Sequence, residues 1–192
     1  MKSRFLSFKV LVFSFCLGTI AATFWWNPSP AMTTNTQSAD DGPDLKSLQA
    51  EIERLKSIAP DQAHAMHDVD YHFTNLWFAG QQGNWPLAQF YFNETKSHLR
   101  WAVRIIPVRK DNEGKEINLE DILQAVENFP LKQLDESIKA NDQEKFVAAY
   151  EFTLTSCYGC HKASDKPFLR PRIPEHPATT IINTDPNASW PK

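Results

Sequence analysis

Leucine and isoleucine recur at Leu45, Leu48, Ile52, Leu55 and Ile58. Steps of three and four residues put all five on one face, so the segment predicts an amphipathic helix of about two heptads. Two heptads are too few for a coiled coil alone. The stripe is therefore expected to dock on the rest of the domain or on a second copy of the chain in a homodimer. Pro60 suits the first turn of the next helix, which runs from Asp61 to about Ala79 and stops near Gly80. Its stripe is Met66, Val69, Phe73, Leu76 and Trp77. After a short turn over 81–84, Pro86 opens a helix with Trp85, Phe90, Tyr91, Leu99, Ala102, Val103 and Ile106 available for its inner side, and Pro107 ends it.

The charged segment 109–116, with Gly114 inside it, reads as a surface loop. A third long helix begins near Asn118, carries Leu119, Ile122, Leu123, Val126 and Phe129, breaks at Pro130, and resumes with Leu131, Leu134 and Ile138. Asn141 as N-cap, with Glu144 three residues on, forms a capping box for the fourth. Phe146, Ala149, Tyr150 and Thr153 mark its inner face. No segment sustains period-two alternation, so no sheet is expected. The predicted class is all-α: an antiparallel four-helix bundle with an extra N-terminal amphipathic helix. From Pro167 onward six prolines fall in 26 residues, which precludes a regular helix and predicts an extended Pro-rich tail.

The N-terminus reads as a targeting segment. Lys2, Arg4 and Lys9 precede an uncharged, largely apolar run from Val10 to Trp26, and Ser29 and Ala31 supply small residues for a cleavage site, with an alternative cut near Ala21 or Ala22. The run fits a cleaved signal peptide or an uncleaved anchor at the short end of spanning length. Cys16 lies behind the bulky Phe15, without the small residues of a lipoprotein signal. Either way the domain is exported, which in a bacterial cell means the periplasm. The chain then divides into residues 1–31 (signal or anchor), 32–59 (polar linker and amphipathic helix), 60–166 (bundle) and 167–192 (tail). Losing residues 1–31 removes three of 20 Lys and Arg and none of 23 Asp and Glu, so the formal charge falls from −3 to −6. A mildly acidic chain without a basic run offers little to a phosphate backbone, so nucleic acid is not an expected partner.

Cys157-Tyr158-Gly159-Cys160-His161 is a CxxCH motif, the pattern of covalent haem attachment. Two thiols so spaced form thioethers with the two vinyl groups of one haem, and the next histidine supplies the proximal iron ligand. Phe146, Ala149, Tyr150, Thr153, Cys157 and His161 follow one another at three or four residues, so one helical face runs straight into the motif. The expected cofactor is one covalent haem c at the end of the bundle. A thioredoxin-like pair would sit at a helix N-terminus after a strand. A zinc site would need a second pair of ligands. A plain disulfide would leave His161 without a role.

A four-helix chain with its single CxxCH near the C-terminus resembles the class II c-type cytochromes, the cytochrome c-prime type, over roughly residues 60–165. The helix at 44–58 and the tail depart from that pattern. The resemblance implies that the first bundle helix supplies the residue on the distal side of the haem, a methionine in six-coordinate members and a non-ligating apolar residue in five-coordinate ones. Met66 lies on that helix's apolar stripe, in the half that antiparallel packing turns towards the haem helix. It is the candidate distal ligand, against the ordinary role of a core methionine. His72 is the alternative, although at 100° per residue it lies about 90° from the stripe centre. His64 and His67 point further away, and His176 is remote. Arg170 and Arg172 are candidate partners for haem propionates.

The function expected is that of a one-electron carrier serving a redox partner protein, not an enzyme. The alternative is a five-coordinate haem module that binds or senses a small gas such as nitric oxide. A peroxidase would need a distal acid–base group, for which His72 is the one candidate.

Overall fold

The chain divides into two units, Met1–Asp44 and Leu45–Lys192, and all elements below belong to the second. The computed structural model describes residues 44–189, so the targeting segment and its cleavage site lie outside the described residues. The described part is mainly helical: α1 Leu45–Ile58, α2 Gln62–Gln81, α3 Trp85–Ile105, α4 Leu119–Asn128, α5 Pro130–Lys139 and α6 Gln143–Ala163. Strands β1 Val108–Lys110 and β2 Glu116–Asn118 pair antiparallel between α3 and α4. Among the described residues no helix is long and apolar enough to cross a membrane.

Short polar side chains begin the helices. Asp61 accepts from the His64 N–H (3.0 Å), Asn84 from Leu87 (3.3 Å), Asn118 from Glu120 (3.0 Å) and Asp142 from Lys145 (3.0 Å). Each bond satisfies an amide that the helix itself leaves unpaired. The cap of α6 is one residue later than the capping-box reading of Asn141. Asn141 instead takes a left-handed conformation at φ 54° and closes the turn after α5, a role its short polar side chain tolerates.

Four further expectations are corrected. The segment read as a loop holds the β1–β2 hairpin, with Val108 paired to Asn118 and Lys110 to Glu116. Gly114 at φ +84° permits its turn. Gly80 does not stop α2; it is buried within the helix, which ends at Gln81 before Gly83 at φ +69°. Phe90 points outward and is half exposed. The stripe of α1 is exposed along its whole length, so it does not pack on the described domain.

α2 and α3 lie against each other along their length, and α6 packs on α5 and α2. The core is aromatic. Phe146 is fully buried, and Tyr150 stacks on Phe73 with centroids 4.2 Å apart while its hydroxyl donates to the Phe73 carbonyl at 2.9 Å. Trp77 and Trp85 close around Phe146 at 6.2 and 5.9 Å. The tail follows an irregular path with turns and returns to this core. Asn75, fully buried, donates to the Tyr71 carbonyl (2.9 Å) and accepts the Ala178 N–H (3.1 Å). Asn84 donates to the Thr184 carbonyl at 3.1 Å.

Two outcomes are expected. A Cβ at Gly80 would stand 2.2 Å from Phe146 Cζ, so Gly80→Ala should lower stability by about 1–3 kcal/mol through overpacking, despite alanine's helix preference of about 1 kcal/mol. Thermal unfolding checks this, and an unchanged or higher melting temperature would contradict the close approach. Asn75→Ala leaves the Ala178 amide unpaired at a cost of about 1–3 kcal/mol. Its tail should also be cut faster in limited proteolysis.

Candidate functional site

The aromatic core stops short of the C-terminal end of α6. Beyond Thr153 the same face continues into a cavity of about 510 Å³, within the usual range of about 300–1,000 Å³ for cofactor and ligand pockets. Its apolar walls come from α3 (Leu99, Val103), the residue that caps it (Ile106) and α4 (Ile122, Leu123, Val126). Cys157, Cys160 and His161 line it from α6, and Met66 lines it from α2. A second cavity of about 620 Å³ lies under the tail and shares Met66, Cys157, His161 and Leu169 with the first.

Helical geometry explains the grouping of the three motif residues. Cys157, Cys160 and His161 fall within little more than one turn, where residues three and four apart share a face. Both cysteines are free thiols. Burial, reinforced by the neighbouring Cys160, pushes the Cys157 thiol up to about 12. Burial also raises Cys160, against a lowering from the Ser164 side chain and the Arg109 charge. Both lie in the last turns of α6, where the helix dipole disfavours negative charge.

His161 is oriented by the tail. Its Nδ1 stands 2.8 Å from the Leu169 carbonyl oxygen. A carbonyl can only accept, so Nδ1 carries the hydrogen and Nε2 keeps its lone pair, the arrangement of a metal-ligating imidazole. Tyr158, a spacer within the motif, donates its hydroxyl to the Pro167 carbonyl at 3.2 Å, and Lys162 lies 4.9 Å over its ring. Asp165, at φ 55°, reverses the chain so that residues 166–169 can reach back. Asp165 also accepts the Asn112 N–H, tying the hairpin to the end of α6.

The polar end of the first cavity is formed by Gln62, Arg109 and Lys166. Gln62 donates to the Ala102 carbonyl (2.8 Å) and accepts two bonds from the Arg109 guanidinium, one of them from Nε at 3.0 Å. Arg109 therefore presents a fixed positive charge beside the thiols. Sequence reasoning missed it, because its inward direction depends on a hairpin whose strands are three residues long. The available signal was a glycine-bearing turn between Val108-Arg109-Lys110 and Glu116-Ile117-Asn118. Of the two arginines singled out in the tail, Arg170 lines the second cavity and donates to the Pro167 carbonyl at 3.2 Å. Arg172 lines the same cavity and pairs with Glu175 at 3.0 Å.

His72 lines neither cavity. Its ring stacks on His98 of α3 at 4.8 Å, and Tyr71 and Tyr91 lie beside it. Burial, and then repulsion from His98, holds its imidazole below the usual range. His64 is an exposed partner of Asp61, and His67 lies 3.8 Å from Asp68. His176 lines the second cavity.

The residues present fit a covalently held haem. Two thiols, an imidazole with a free Nε2 and a thioether face one apolar space, with a fixed guanidinium at its edge for a carboxylate. Comparison with protein-family models, with curated proteins and with solved structures finds no match to this chain.

Proposed function

We propose that this chain is an exported c-type cytochrome of the four-helix class, with one haem bound covalently at Cys157 and Cys160, that carries single electrons to or from a redox partner protein. In this reading α2, α3, the broken pair α4–α5, and α6 are the four arms of an antiparallel bundle. The observation that carries the proposal is the CxxCH motif opening onto an apolar cavity, with His161 Nε2 free and Met66 lining the same space.

Each residue then has a defined task. Cys157 and Cys160 would each add S–H across a vinyl group, and the resulting thioethers prevent loss of the cofactor outside the cytoplasm. His161 would hold the iron through Nε2, its ring fixed by the Leu169 carbonyl. Haem iron supplies a one-electron couple that no side chain of the chain provides. Met66 would close the sixth position with a soft thioether, which favours ferrous iron and raises the potential. Leu99, Val103 and Ile122 exclude water from the site, and Arg109 would balance a propionate. The targeting segment would deliver the domain to the periplasm, free or anchored to the inner membrane.

Attachment is tested by intact mass. Protein made together with haem-attachment machinery should exceed the apo mass by one haem, and free thiols under those conditions would falsify the assignment. Cys157→Ala with Cys160→Ala should abolish covalent haem. The haem-free chain, its cavity unfilled, should lose helical circular dichroism and melt lower than the loaded form.

Ligation by Met66 is tested by spectroscopy. The ferric protein should show the weak near-infrared charge-transfer band of sulfur ligation. Met66→Ala should lose the band and bind carbon monoxide readily once reduced. A high-spin spectrum that Met66→Ala leaves unchanged would replace the carrier with a five-coordinate gas-binding module.

A further inference from the structure

A second cluster of ligating side chains lies on the α2–α3 seam, outside both cavities. Asp68 and His72 stand four residues apart on α2, and Glu94 and His98 stand four apart on α3. That spacing puts each acid–histidine pair on one face of its helix, and the two helices pack with these faces together. One ligand atom from each of His72, Glu94 and His98 lies within 4.8 Å of the others. Asp68 Oδ2 is 3.6 Å from His98 Nε2.

Two details show unmet bonding capacity. His98 Nδ1 is 2.9 Å from the Glu94 backbone carbonyl, so Nδ1 is the N–H and a neutral ring turns its Nε2 lone pair towards Asp68. Two acceptors facing each other call for a cation between or beside them, whether a proton or a metal ion. His72 Nδ1 is buried with no hydrogen-bond partner, a state that costs free energy unless something fills it. The histidine N–H bound to a backbone carbonyl is also the usual device for orienting a metal-ligating ring.

We propose that His72, Glu94 and His98 form a binding site for a divalent transition-metal ion of the zinc class, with Asp68 beside it. Two imidazoles and a carboxylate match the donor preference of zinc, and a fourth position remains for water or Asp68. Ligand atoms around a tetrahedral zinc stand about 3.3 Å apart, given metal–ligand bonds of about 2.0–2.2 Å. Side-chain rotation of about 1 Å therefore closes the observed cluster. The bound ion would pin α2 to α3 one and a half turns from Met66. The proposal is independent of haem, since none of its residues lines the haem cavity.

The test uses the full chain with haem attached, or with both Cys157 and Cys160 replaced by alanine if no haem attaches, and with Cys16→Ala in either case, so that thiols cannot bind the probe. After treatment with a chelator, zinc is titrated by isothermal calorimetry. One equivalent should bind, and X-ray absorption at the zinc edge should show imidazole and oxygen ligands without sulfur. His72→Ala and His98→Ala should each weaken binding at least about 100-fold, and Glu94→Gln at least about tenfold, as loss of a ligand outweighs loss of an outer-sphere partner. Zinc should raise the melting temperature of the parent chain and not that of His98→Ala. His64→Ala and His67→Ala should bind as the parent does. Absence of zinc binding, binding that survives His98→Ala, or binding lost in His67→Ala each overturns the site. If either alanine variant fails to fold by circular dichroism, Glu94→Gln and His98→Gln decide the matter by the same affinity criterion.

Discussion

The ring of Phe146 rests on the backbone of Gly80, and the distance of α6 from α2 is set there. A side chain on residue 80 would overlap the ring, so the contact exists only because glycine stands at that place. Around it, Trp77, Trp85, Tyr150 and Phe73 pack ring against ring at one end of the helical domain. With α6 fixed at that end, its continuing face past Thr153 points Cys157 and His161 into space that α2, α3 and α4 border but do not fill. The filled half and the open half are two consequences of one packing constraint. A cavity with apolar walls is unfavourable for the chain alone, because its lining lacks contact partners, and an apolar group bound there would remove that deficit.

The proline-rich tail contributes through the same property that keeps it irregular. A chain that cannot form helix or sheet leaves its carbonyls available, and Leu169 and Pro167 offer theirs to His161 and Tyr158. Asn75 and Asn84 then hold the later tail against α2 and the turn before α3. The buried Asn75, surrounded by apolar residues, is satisfied only because the tail lies where it does. Orientation of His161 thus depends on contacts some distance along the chain, as expected where a ligand's second nitrogen is held by a neighbouring carbonyl.

Much of the helical framework was legible because its stripes are long: Met66 to Trp77 and Phe146 to His161 keep helical spacing over several turns. The grouping of Cys157, Cys160 and His161 on one cavity wall was legible because the motif is compact and local. What escaped was set by contacts between elements. Gly80 looks like a stop until Phe146 is seen against it, and Asn141 looks like a cap until its left-handed φ shifts that role to Asp142. The strands of the hairpin are too short for period-two alternation to register, and with them Arg109 was missed at the cavity edge. The α1 stripe was read correctly as a helix, but its apolar side remains exposed within the described chain. Amphipathic pattern specifies a face and not the surface that covers it.

Helix α2 presents two sets of side chains because a helix has more than one inner face when it packs on two neighbours. Met66, Val69 and Phe73 turn towards α6 and the cavities. Asp68 and His72 turn towards α3, where His98 stacks on His72. Six residues separate Met66 from His72, a rotation of about 240° at 100° per residue, so the two cannot serve the same centre without twisting the helix. Such a twist would lift Phe73 off Tyr150 and break the 2.9 Å bond from the Tyr150 hydroxyl to the Phe73 carbonyl. It would also withdraw Asn75 from the tail that orients His161. The aromatic stack therefore bears on which side chain of α2 reaches the cavity, since it fixes the rotation of the helix. The Met66 thioether lines the cavity beside the CxxCH motif, and His72 is turned to the α3 seam instead.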